Sequence, residues 1–368
     1  MMTTNQHQYI YYGTKANTVE IEKFVLHTLA INKQAKASNR KKTPVCIWGK
    51  HGIGKTELVE SIAKEHGYKF TYIAPAQFEE MGDLLGMPKI VDNETITVAP
   101  SWVPTVDQPG ILLIDDVNRA DDRILRGIMQ LLQNHELASW KLPEQWHIIL
   151  TANPDGGDYS VTPMDDAMLT RMLHITAEFD LQAWAEWALK KGVDQRGVNF
   201  VLTYPEIVTG QRTTPRSLVQ FFTSIAGIKD LKKELPLVRM LADSCLDANA
   251  SAAFISFVQQ NQSKLISPEE IINTKKFAED VEAHLNELVI AEHRIDILAT
   301  LCTRLTLYLK SLEKKCSKAQ LENVKLFLKM EIIPNDIRLS MLGDLTKTTS
   351  VKSILLDPAL SKLLLQKM

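Results

Sequence analysis

The segment Gly49-Lys50-His51-Gly52-Ile53-Gly54-Lys55-Thr56 sets three glycines, a lysine and a hydroxyl in the spacing G-x-x-x-x-G-K-[ST]. Those residue types suit an anionic phosphate chain. Glycines at 49, 52 and 54 let the backbone turn sharply and bring its N–H groups onto phosphate oxygens. A helix starting there would aim its positive end at the same anion. Lys55 can reach β- and γ-phosphates, and Thr56 can offer its hydroxyl to Mg²⁺. The pattern predicts a site for ATP and Mg²⁺ built from residues 49–57, with Lys50, His51, Ile53 and Glu57 contributing alongside the glycines.

Two carboxylates stand about sixty residues further on. Asp115 and Asp116 close the run Gly110-Ile111-Leu112-Leu113-Ile114. A metal ion on ATP needs a carboxylate opposite the P-loop hydroxyl, and a strand end puts one there. We assign Asp115 to the metal side and Asp116 to orienting and deprotonating the attacking water. Asn153 ends the next apolar run and can hold that water or the γ-phosphate; its ordinary use is a turn before Pro154. Arg171 closes a short helix, where it can serve a neighbouring subunit's nucleotide or simply sit as a C-terminal cation. Arg216 opens a later helix and can fold onto the phosphates or form an interdomain ion pair.

These residues need elements to place them. Pro44 to Trp48 is apolar and β-branched, a buried strand, and residues 57–65 read as a helix. Residues 69–74 give a second strand and 110–114 a third, followed by an amphipathic helix over 121–136. Residues 146–152 are a fourth strand, 165–171 a short helix and 172–176 a fifth strand. Five buried strands alternating with helices predict a parallel three-layer α/β domain. Residues 1–17 read as polar apart from Tyr9 to Gly13, residues 18–35 as a helix, and Arg40-Lys41-Lys42 as a solvated loop. Residues 89–98 alternate around Asp92-Asn93-Glu94, a hairpin set off by Pro88 and Pro100. A Gly-rich loop is expected over 155–162 and another loop over 210–216. From Asp180 onward only helices are expected, with Pro215 at one first helical position and Ser267-Pro268 as a capped start.

Composition bounds the rest. The 368 residues are 45% hydrophobic and 23% charged with a net charge of −2. That is enough chain for two or three domains, with no global field to attract nucleic acid or an anionic membrane. No apolar run suits a transmembrane helix, and the polar start lacks a signal-peptide core. The four cysteines are scattered without a C-x-x-C pair, as buried thiols of a reducing cytoplasm would be.

The order P-loop, Leu-Leu-Ile-Asp-Asp-Val-Asn-Arg-Ala, Thr-Ala-Asn-Pro, Leu-Thr-Arg-Met and Thr-Pro-Arg-Ser resembles the MoxR-like branch of the AAA+ ATPases, across roughly residues 10–225. The hairpin region resembles that clade's insert in the second helix. The resemblance implies Lys55 and Thr56 as Walker A, Asp115 and Asp116 as Walker B, and Asn153 as sensor 1. It implies Arg171 as a trans-acting finger and Arg216 as sensor 2. It further implies an ATP-hydrolysing homo-oligomeric ring, a hexamer, that remodels or activates other proteins, often ones with a von Willebrand factor A domain. The expected organisation is an α/β nucleotide domain over 1–179, a helical lid over 180–265 and a helical extension over 266–368. One departure stands out: the family carries Glu where this chain has Asp116, one methylene shorter. Slow hydrolysis, or a water held through another group, follows from that. A nucleotide-gated assembly module of low turnover is the alternative. A DNA-linked motor or loader is a further one, disfavoured by the near-neutral charge.

Overall fold

The computed structural model describes residues 10–35, 37–155, 161–209, 212–259, 266–292, 295–312 and 316–345. The expected Gly-rich loop lies mostly outside them, as do Gly210, Gln211 and the helices expected beyond residue 345. The chain forms two compact units, residues 1–180 and 181–368.

The first unit is a sheet with helices on both faces. Its elements run β1 (Thr14–Ala16), α1 (Thr18–Lys33), β2 (Val45–Trp48), α2 (Lys55–Glu65), β3 (Lys69–Ile73), α3 (Met81–Leu85), β4 (Met87–Val91), β5 (Glu94–Val98), β6 (Gly110–Ile114), α4 (Asp122–Asn134), β7 (Glu136–Leu137), β8 (Trp140–Lys141), β9 (Trp146–Ala152), α5 (Asp166–Leu169) and β10 (Leu173–Ala177). The main sheet has the order β1-β10-β2-β9-β6-β3, and every pairing in it is parallel. Side chains alternate across it. Val45, Ile47, Ile111, Leu113 and Ile149 face one core with Ile21, Val25 and Leu29 of α1 and Val59 and Ile62 of α2. Cys46, Trp48, Leu112, Ile114, Ile148 and Leu150 face the other with Ile124, Ile128, Leu131 and Leu132 of α4. Each such side chain, removed from water, contributes about 1.5–3 kcal/mol, so burial on both faces holds the sheet between its helices.

The parallel three-layer fold is as expected, with one strand more. Thr14–Ala16 pairs with Ile175 to Ala177 at the sheet edge. A three-residue edge strand has no room for an alternating apolar pattern, so composition hid it. Lys42 also departs from a solvated loop: its ammonium donates to the carbonyls of Glu144 and Trp146, tying the chain to the start of β9. Between β3 and the hairpin the only α-helix is the five-residue α3, held by an Asp83 carboxylate that accepts from the N–H groups of Glu79 and Glu80.

The hairpin forms as β4 and β5, antiparallel, with Asp92 and Asn93 both left-handed at φ 50° and 66°. That pair of positive angles is the turn whose twist suits two joined strands, and Asp and Asn tolerate it.

The second unit is helical throughout its described residues. Its helices are α6 (Leu181–Lys190), α7 (Gln195–Thr203), α8 (Pro215–Ile225), α9 (Leu235–Cys245), α10 (Ala248–Gln259), α11 (Pro268–Asn273), α12 (Ala283–Glu292), α13 (Ile295–Ser311), α14 (Lys318–Lys329) and α15 (Asn335–Leu345). Thr214 caps α8 ahead of Pro215, and Ser267 with Glu270 forms a capping box on α11. Segments from both sides of residue 265 share this unit: buried Arg304 of α13 donates to Gln195 Oε1 of α7 at 3.4 Å and to the Ile266 carbonyl at 3.2 Å. Among the described residues no helix is long and apolar enough to cross a membrane.

Candidate functional site

The strand order builds the site. In a parallel sheet every strand delivers its last residue to the same end, and ligands of such sheets bind there. β2 ends at Trp48 and hands over to the P-loop; β6 ends at Ile114 and hands over to Asp115; β9 lies between them and ends at Ala152. Asn153 is thereby set between the P-loop and the two aspartates. The P-loop itself turns through two left-handed glycines, Gly52 at φ 70° and Gly54 at φ 95°, the latter immediately before α2. The space a side chain would occupy on Gly54 is open. Trp48 is fixed from the opposite face: its indole N–H donates to His174 Nδ1 at 3.0 Å, while His174 Nε2 donates to the Leu169 carbonyl at 2.7 Å.

Lys55 is only 6% exposed. Its ammonium donates to the carbonyls of Gly49 at 2.8 Å and Lys50 at 3.2 Å, and to Asn153 Oδ1 at 3.3 Å, and lies 3.9 Å from Asp116 Oδ1. Asn153 completes a triangle by donating from Nδ2 to Asp116 Oδ1 at 3.0 Å. Thr56 Oγ1 stands 2.9 and 3.1 Å from the two oxygens of Asp115. Asp115, Thr151 and Asn153 share the sheet face that carries α2, because odd-numbered residues of β6 and β9 point that way. Asp116 has a left-handed backbone, φ 46° and ψ 45°, unusual outside glycine but least costly for Asp and Asn. It starts a tight turn, Val117–Arg119, that turns its carboxylate, one-third exposed, back toward Lys55 and Arg119.

A family model described as "AAA domain (dynein-related subfamily)" matches residues 44–172, the span that contains the P-loop, both aspartates, Asn153 and Arg171. Residues 44–172 are thus similar to AAA domains. The chain is 25% identical to Midasin of Giardia intestinalis over 153 residues, 40% of this chain and 3% of Midasin. It is 25% identical to the peroxisomal Lon protease homolog 2 of Bos taurus over 275 residues, 68% of this chain and 29% of that protein. The chain thus spans only a minor part of the length of these relatives. Among solved structures, two of RuvB from Thermotoga maritima are similar at TM-scores of 0.39 and 0.36, with 14% and 15% identity. They cover 83% and 82% of this chain and 94% of each RuvB chain.

Within the AAA+ domain the structure brings Lys55, Thr56, Asp115, Asp116 and Asn153 together. Glu57 lies in the first turn of α2 with an exposed side chain. Arg171 is held elsewhere: its guanidinium donates to the Ala167 carbonyl and to Gln133 Oε1, on the α4 and α5 side of the domain. Arg216 is exposed in the first turn of α8, in the other unit.

Four side chains that sequence reasoning passed over complete the AAA+ site. Asn118 exchanges two hydrogen bonds with the backbone of Asn153, at 2.8 and 3.0 Å. Tyr72 donates to Asp115 Oδ2 at 3.3 Å, and Arg119 approaches Asp116 Oδ2 at 3.6 Å. Thr151 donates to Asp115 Oδ1 and accepts from the Asp116 N–H. Thr151 alone carried a signal, since it sits two residues before Asn153 in an extended run, where alternate side chains share a face.

Proposed function

We propose that the AAA+ domain binds ATP with Mg²⁺ and hydrolyses it, and that the chain works as a ring oligomer that remodels or activates partner proteins. The observation that carries the first part is the meeting of Thr56 with Asp115 and of Lys55 with Asn153 and Asp116 at the carboxyl end of the central strands. The donor set fits the ligands. A hydroxyl beside a carboxylate offers the hard oxygen donors that Mg²⁺ prefers, and a nearly buried ammonium beside an open glycine turn suits a polyphosphate. When bound, ATP with Mg²⁺ supplies the cleavable phosphoanhydride bond. Thr56 and Asp115 hold the metal side. Lys55 exchanges its loop carbonyls for phosphate oxygens, the glycine-turn N–H groups and the start of α2 take the rest, and Asn153 orients a water whose proton passes to Asp116. Phosphate release from ATP by the purified chain, dependent on Mg²⁺, tests this directly; no release above background refutes it.

The ring reading is supported by Arg171, whose position leaves it to serve a nucleotide bound to a neighbour. ATP is expected to promote oligomerisation, most simply to a hexamer. Light scattering that shows a monomer with and without a slowly hydrolysed ATP analogue, across micromolar concentrations, would count against it.

The partner reading is supported by the hairpin. Met87 is 65% and Ile90 76% exposed, and Val91, Ile96 and Val98 are also open to solvent, a concentration of apolar surface that marks an interaction site. Its base borders a groove of about 680 Å³ lined by Phe78, Trp102, Met87 and Val98 with Glu79 and Asp83. A partner with a von Willebrand factor A domain is the class the family resemblance suggests. Deleting residues 89–98 is expected to leave ATP binding intact and to abolish the activity on the partner. Collapse of the whole domain on deletion would sink the idea.

A further inference from the structure

Thr151 is a buried polar residue inside the strand that divides the P-loop from the two aspartates. Its hydroxyl has two partners of opposite kind. It donates to Asp115 Oδ1 at 2.5 Å and accepts from the Asp116 backbone N–H at 2.8 Å. The register explains the meeting. Ile114 pairs with Leu150, so the next residues of the two strands, Asp115 and Thr151, stand side by side on the α2 face. Asp116 is where the chain leaves the sheet through its left-handed turn, and its N–H finds the side chain of Thr151 as acceptor.

We propose that Thr151 is the positioning residue for both aspartates, setting the Asp115 carboxylate against Thr56 and anchoring the turn that presents Asp116. This rests on reading the site as one for ATP and Mg²⁺. The physical content is that one hydroxyl fixes two angles. Asp115 Oδ1 is shared between Thr56 at 2.9 Å and Thr151 at 2.5 Å, so loss of the second donor frees the carboxylate to rotate away from the metal side. Loss of the acceptor leaves the Asp116 N–H without its partner and loosens the backbone that aims the second carboxylate. Groups that orient a metal ligand in this way usually contribute ten- to a hundredfold to metal affinity. A purely structural threonine would instead change stability and leave metal dependence alone.

Two variants separate these roles. Thr151→Val keeps the shape and removes both hydrogen bonds; Thr151→Ser keeps the hydroxyl. Calorimetry with a slowly hydrolysed ATP analogue, in EDTA and then in Mg²⁺, isolates the gain in affinity that the metal provides. Thr151→Val is expected to match the wild type in EDTA, to lose about tenfold of the Mg²⁺-dependent gain, and to need about tenfold more Mg²⁺ for half-maximal turnover. Thr151→Ser is expected to restore both. A valine variant with the wild-type Mg²⁺ dependence overturns the proposal, as does one that loses affinity equally with and without metal. Should the valine variant fail to fold, Thr151→Ala takes its place: about a tenfold loss of the Mg²⁺-dependent gain supports the proposal, and wild-type Mg²⁺ dependence overturns it. A wild-type chain that binds no nucleotide would instead remove the ATP reading, and this proposal with it.

Discussion

Replacing Lys55 by alanine is expected to lower ATP affinity by about a hundredfold or more while the domain stays folded. Hydrogen bonds to charged groups contribute about 1.5–3 kcal/mol each, and two phosphate contacts from one ammonium reach that factor. The environment makes the loss selective. Lys55 is almost fully enclosed, but its present partners are loop carbonyls, the Asn153 amide and a carboxylate that keeps access to water. Alanine removes a cation from a nearly closed site without stranding a buried charge, since Asp116 remains one-third exposed and next to Arg119. The core of α2, formed by Val59, Ile62 and Ala63, is untouched. Unchanged affinity by calorimetry, with an unchanged melting temperature, would remove the P-loop from the nucleotide site.

The second large effect is expected at Asp116. Asp116→Asn should leave ATP bound and lower turnover by about a hundredfold or more, the usual contribution of a general base. Asparagine keeps an oxygen for the Asn153 Nδ2 donor and accepts the left-handed backbone as readily as aspartate, so the turn survives and only the proton acceptor is lost. Asp116→Glu should raise turnover, because one more methylene lets the carboxylate reach the water. The same backbone sets a cost: glutamate tolerates φ 46° less well, so this variant should also melt earlier, by an amount on the order of 1 kcal/mol. Asp115→Asn should behave differently again, weakening Mg²⁺-dependent binding, because Asp115 receives the hydroxyls of Thr56, Thr151 and Tyr72 on the metal side. If Asp116→Asn were silent and Asp116→Glu left a low rate unchanged, hydrolysis would not run through this carboxylate. The low-turnover assembly module would then be the better account of the chain.

The parallel core could be read from the sequence because its strands are continuous apolar runs that end in polar residues. Ile111 to Ile114 before Asp115 and Ile148 to Leu150 before Asn153 carry burial and strand end in one pattern. The hairpin was legible through Asp92-Asn93, since few residue pairs tolerate two positive φ angles in succession. Strand order was another matter. Nothing local states that β9 inserts between β2 and β6, and that insertion is what brings Asn153 to Lys55 and Thr151 to Asp115. Supporting residues therefore stayed hidden: a threonine in a β-branched strand looks like any strand former, and Asn118 looks like a turn residue. The edge strand Thr14–Ala16 was missed for the converse reason, its pairing resting on backbone hydrogen bonds that any sequence can make.

The insertion of β9 also bears on the birth of the protein on the ribosome. Lys55 and the Asn153 side chain it bonds are 98 residues apart in the chain. At a synthesis rate of about 5–20 residues per second, the second follows the first by roughly 5–20 s. For the last part of that interval, once β6 has been made, β2 and β6 both exist without the strand they flank, each with an unpaired backbone edge. A nascent chain that ends before residue 146 holds the phosphate loop and both aspartates but has no scaffold to join them. The nucleotide site is therefore completed only once β9 has been made, well after its phosphate loop.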